Sequence, residues 1–167
     1  WSDDDFGMSV FDVLNEFSDT AILTQYLAFC QSLGESIPDV LRRTFIPDTV
    51  HNNLTFNAEG PAFIACTDSK GHTYIARDSQ GQRPAELEVA IKDGKILAYR
   101  YGSVSGIPSP FTLPDGVSWQ RMDLNPGRVV EIAPQTESGV ITEFIITEYM
   151  AQGLRPFVHD QRPSVCW

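Results

Sequence analysis

Phe45-Ile46-Pro47-Asp48-Thr49-Val50-His51-Asn52-Asn53 divides two textures of sequence. Helical repeats run up to it, and alternating apolar residues follow it. Pro47-Asp48 ends the helical part, because proline cannot continue a helix and aspartate favours turns. From Thr49 to Phe56 the side chains alternate with period two. Val50, Leu54 and Phe56 fall on one side, and Thr49, His51, Asn53 and Thr55 on the other. A histidine and an amide on one strand face can furnish a pocket wall with polar groups. The same alternation also describes a strand whose polar face meets water.

Upstream, Ser2-Asp3-Asp4-Asp5 is an acidic leader, and Val10, Phe11, Val13, Leu14 and Phe17 recur at helical spacing. A second helix is better marked. Ser18 or Asp19 caps it, Leu23, Tyr26, Leu27, Cys30 and Leu33 form its stripe, and Gly34 supplies the left-handed stop. Pro38 suits the first turn of a short third helix over Asp39–Thr44. Downstream the chain reads as strands. Gly60–Cys66 is ambiguous between helix and strand. Asp68-Ser69-Lys70-Gly71 is a turn into His72–Arg77, and Asp93-Gly94 joins Leu87–Ile91 to Ile96–Val104 as a hairpin. A proline-rich loop, Ser105–Gly116, precedes strands at Val117–Leu124, Arg128–Ala133 and Val140–Met150. The expected fold class is α+β: helices first, then a strongly curved, mostly antiparallel sheet. The expected organisation is a leader with a short helix over residues 1–17, one domain over 18–153, and an extended tail over 154–167.

Composition narrows the function classes. The 22 acidic against 12 basic residues, a formal charge of −10, disfavour nucleic acid or an anionic membrane as partner, since phosphate binding needs clustered Lys and Arg. No apolar run is long enough to span a membrane, and no signal-peptide pattern is read. Cys30, Cys66 and Cys166 have no C-x-x-C spacing; an odd number of thiols reads as reduced and intracellular, which makes the cytoplasm the expected compartment. Asn53-Leu54-Thr55 is a formal glycosylation acceptor. His51, His72 and His159 lack metal-ligand spacing, so no metal is expected. Ser103, Ser105 and Ser109 lack a nucleophile-elbow context, and no glycine-rich nucleotide fingerprint occurs, so no cofactor is expected.

Helices, then F-x-P-D-x-V-H-N-N at Phe45–Asn53, then the Asp93-Gly94-Lys95 hairpin, then Gly139-Val140-Ile141-Thr142-Glu143-Phe144 form a pattern that resembles the NTF2-like superfamily. Within it, the pattern resembles the SnoaL-like and limonene-epoxide-hydrolase-like branches. The resemblance covers about Ser18 to Gly153 and is carried by Asp48–Asn53 and Ser138–Glu148. It implies a cone, with the N-terminal helices packed in the concave face of the curved sheet. A Tyr-x-Asn of the epoxide-hydrolase branch is matched by His51 and Asn53. Its Arg-x-Asp is matched only at Arg100, because Gly102 stands at the acid position. The last-strand aspartate falls at Ile146, with Glu148 the nearest carboxylate on that face. Both acids are replaced, so epoxide hydrolysis is not implied.

What the resemblance implies instead is a cofactor-free cyclase, isomerase or dehydratase acting on an apolar oxygenated substrate such as a polyketide or terpenoid. His51 or Glu148 would move a proton, and Asn53 and Arg100 would hold an oxygen whose charge develops. Tyr26, Tyr101, Trp119 and Phe144 would wall the substrate. Four of them have a plain alternative: Tyr26 and Trp119 fit a core, Arg100 an outer face, and Glu148 a strand end in water. On the same fold the chain would otherwise be a non-catalytic binding or assembly module, with a homodimer formed through the sheet. A third reading is a small β-barrel for an apolar ligand, which would carry its helices outside the sheet.

Overall fold

The computed structural model describes residues 18–45, 61–78, 80–103 and 112–150. The expected helix over 9–17, the strand Thr49–Phe56, residues 105–111 of the proline-rich loop and the tail lie outside them, and with them His51 and Asn53.

Two helices open the described part. Helix α1 spans Asp19–Ser32, with the Ser18 side chain accepting from the Ala21 amide at 3.3 Å, as a capping serine should. Its buried stripe is Leu23, Leu27 and Cys30, with Tyr26 half-buried beside it. Leu33 leaves that stripe, because the helix ends at Ser32 and the turn into Gly34 carries Leu33 out to 63% exposure. Helix α2 spans Ile37–Phe45, with Pro38 in its first turn. Ser36 accepts from the Asp39 amide at 3.3 Å and donates to Asp39 Oδ2 at 2.6 Å, which holds the free donors at the helix start.

Seven strands follow: β1 Phe63–Thr67, β2 Thr73–Arg77, β3 Glu86–Lys92, β4 Lys95–Gly102, β5 Ser118–Asp123, β6 Arg128–Glu137 and β7 Val140–Met150. They form one antiparallel sheet in the order β1-β2-β6-β7-β4-β3-β5. The ambiguous Gly60–Cys66 stretch therefore supplies an edge strand. The β6 strand runs further than expected, through Pro134. β2 pairs with it only as far as Ile132, so one edge of β6 is free where the proline stands. The Asp93-Gly94 turn has positive φ at both residues, 51° and 77°, and Ser138-Gly139 repeats the device at 50° and 79°. Two-residue turns of this hand match the twist of the strands that they join.

Alternation sends Tyr74 and Ala76 of β2 and Val129 of β6 to one sheet face, where Leu23, Leu27, Cys30, Ile37, Val40 and Leu41 pack on them. The other face gathers Ile75, Leu87, Leu124, Val130 and Ile132 with Tyr99, Met122, Phe144 and Ile146. On that second face Thr73 of β2 bonds Tyr99 of β4 at 2.8 Å between hydroxyls, and the Phe63 ring of β1 lies 6.4 Å from Tyr101 of β4. β6 and β7 stand between β2 and β4 in the sheet, so these contacts form only if the sheet curls toward this face. It is the concave one. The described helices lie on the convex face, against β2, β6 and β7. The α+β class is thus observed, whereas the cone, which needs the helices inside the curl, is not the packing of these two helices. On the concave face the sheet's own side chains pack on one another. Among the described residues β1 and β5 do not pair, so the curl stays open. No helix among those residues is long and apolar enough to cross a membrane.

Candidate functional site

Arg100 and Glu148, both expected at one centre, are on opposite faces. Arg100 leaves β4 on the convex side, where it pairs with Glu88, its direct neighbour on β3. Its guanidinium lies 4.4 Å from the centroid of the Trp119 ring, a cation–π stack. Side-chain exposures of 18% and 19% make the Arg100–Glu88 pair largely buried. The buried Arg100 Nη1 and Trp119 Nε1 carry no hydrogen bond. Glu148 stands opposite Val130 on the concave side and pairs with Arg128 at 2.7 Å, near the strand end.

The four expected wall residues also separate. Phe144 meets the edge of Tyr99 at 5.0 Å inside the curl, and Tyr101 stacks near Tyr99 at 6.4 Å while remaining 37% exposed. Trp119 lies under Arg100. Tyr26 sits on α1, where its hydroxyl accepts from Arg43 Nε at 3.2 Å. Nothing described brings these four around one space.

A different group of residues does converge. Where the start of α2 approaches the β1–β2 turn, a cleft of about 290 Å³ is lined by Gln31, Glu35, Asp39, Asp68, Lys70, Tyr74, Glu131 and Tyr149. Alternation places Tyr74, Glu131 and Tyr149 on the convex face of three adjacent strands, β2, β6 and β7. Glu131 is the centre of a network: His72 Nδ1 lies 2.7 Å from Oε1, and the Tyr149 hydroxyl donates to Oε2. Asp68 accepts from the amides of Lys70 at 2.8 Å and His72 at 3.0 Å, and from the Tyr74 hydroxyl at 3.2 Å. These bonds fold the turn and aim its carboxylate at the cleft.

The electrostatics follow from those donors. Burial alone would raise the pKa of Glu131, but Tyr149 and His72 outweigh it and hold the carboxyl below its usual range. Asp68 behaves alike, its burial being outweighed by the His72 and Lys70 amides and by Tyr74. The phenols respond in the opposite sense. The bond to Glu131, then burial, pushes Tyr149 up to about 12, and burial together with the two carboxylates raises Tyr74 further. On the helix side Arg43 clasps Glu35 with two guanidinium nitrogens, and Arg42 holds Asp39 at 3.1 Å. Those two acids have cationic partners. Among the described residues Asp68 and Glu131 have no Lys or Arg partner.

Sequence reasoning passed over this group. Its one local signal is Glu131 itself, a carboxylate set inside the apolar run Val129-Val130-Glu131-Ile132. A strand facing a core on both sides has no place for such a residue without donors. His72, weighed only as a metal ligand, is 59 positions from its partner. Among the described residues no three His, Cys, Asp or Glu are placed to share a metal ion. Searches of protein-family models, curated proteins and solved structures found no match to this chain.

Proposed function

We propose that this chain is a non-catalytic binding module whose convex-face cleft takes the cationic end of a small organic molecule or peptide side chain. One observation carries the reading: Asp68 and Glu131 line the cleft as ionised carboxylates whose described partners are tyrosine, histidine and backbone donors. Lys70 also lines the cleft, but among the described residues no Lys or Arg pairs with either carboxylate, so their field favours an incoming ammonium or guanidinium. A hydrogen-bonding organic cation suits these acceptors better than a metal ion, which needs more ligands converging on one point. The acid–base enzyme implied by the NTF2-like resemblance fits less well, because Arg100 and Glu148 face opposite sides and each is tied to a partner. A carboxylate held below its usual range, with both oxygens engaged, is also a weak base.

The test is an NMR titration with N-butylguanidinium, with N-butylurea as its neutral near-isostere. The expected result is saturable shifts at Lys70, Tyr74, Glu131 and Tyr149 with the cation and none with the urea. Glu131→Gln keeps the shape and is expected to weaken binding roughly tenfold, in line with one charge-assisted contact. The same change at exposed Glu137 should leave affinity unaltered. Equal binding of cation and urea, or equal losses in the two variants, would remove the reading.

A further inference from the structure

The binding reading, on which this inference rests, leaves His72 without a task. Its Nδ1 faces a carboxylate that accepts only, so the neutral ring must carry its proton at Nδ1 and a lone pair at Nε2. Among the described residues no hydrogen bond engages Nε2. A proton added there keeps the bond to Glu131 and converts a neutral donor into a cation 2.7 Å from Glu131 Oε1. That cation does to Glu131 what the ligand would do.

We propose that His72 is the pH gate of the cleft: neutral His72 leaves the Glu131 charge to the ligand, and protonated His72 competes for it. The other charged or titratable groups around it do not share the task. Asp68 and Lys70 come from its own turn, Cys66 from β1, Tyr74 from β2, Glu131 from β6, Tyr149 from β7, and Glu35, Asp39, Arg42 and Arg43 from the helices. Asp68, Glu131 and Glu35 are held low, and Tyr74, Tyr149 and Arg43 are raised, with Cys66 pushed up to about 11 by burial. Imidazole is the side chain that ordinarily changes charge between pH 5 and 8.

The sign follows from linkage. Cation and proton exclude one another, so acid weakens binding, and binding in the middle of this range expels a proton from Nε2 to the buffer. Calorimetry with N-butylguanidinium, whose own charge is constant here, reads both effects. Wild-type affinity is expected to fall roughly tenfold from pH 8 to pH 5, within the usual range for two coupled sites. His72→Gln, which keeps a donor but cannot be charged, should bind almost equally at both. The imidazole titration of wild-type His72, followed by NMR, should also move to lower pH when the cleft is saturated; this needs no variant. Parallel pH profiles in wild type and His72→Gln, or an imidazole titration unmoved by ligand, would overturn the gate alone. Absence of binding at every pH would overturn the cleft reading and the gate with it.

Discussion

Arg100 shows how a residue's task depends on what stands across the strand from it. The sequence offers it as an oxygen holder, but pairing with Glu88 and stacking on Trp119 engage its charge and its flat face. Its removal is therefore a folding event first. Arg100→Ala leaves Glu88 largely buried without a partner and uncovers the Trp119 ring, so we expect a loss of about 2–3 kcal/mol in urea unfolding. Replacing both partners, Arg100→Met with Glu88→Gln, should recover part of it, since no unpaired charge is left. A loss under about 0.5 kcal/mol for Arg100→Ala, the size typical of surface pairs, would show that the pair is worth no more than a solvated one.

At the level of elements, local chemistry was largely readable. Ser18, Pro38, Gly34 and Asp93-Gly94 each act over a few residues, and each marks the boundary or turn where the structure has it. Two glycines separate local need from tertiary need. Gly94 has φ +77° with open space around it, so Gly94→Ala should cost only the backbone conformation, about 1 kcal/mol. Gly81 has φ +61°, but a Cβ there would lie 2.5 Å from the ring of Pro126. Gly81→Ala should cost roughly 2–3 kcal/mol, because strain and overpacking add. Thermal unfolding of the two variants side by side checks the order, and equal losses would mean that the β5–β6 connection yields freely. Pro126 is 45 residues from Gly81, so the second cost was hidden from any local pattern.

For the whole molecule, the decisive feature is the direction in which the sheet curls. Tyr99 fixes it in part: its hydroxyl bonds Thr73, which bonds Thr67 at 2.9 Å, and this chain spans the concave face from β4 to β1. Tyr99→Phe keeps the ring and breaks the chain, with an expected loss of about 1 kcal/mol. Faster hydrogen exchange at Ile75 relative to Leu87 would place that loss at the closure, and unchanged exchange would refute it. The sequence by itself determined the α+β class, the helix caps, the hairpin turns and the alternation of each strand, because those depend on neighbours within a few positions. Which face of the sheet the helices cover was beyond it, since period-two alternation gives each strand two faces without saying which is concave. So was the site. Glu131, His72, Tyr74 and Tyr149 meet only once β2, β6 and β7 lie side by side, and the order of strands is decided by the packing of the whole sheet.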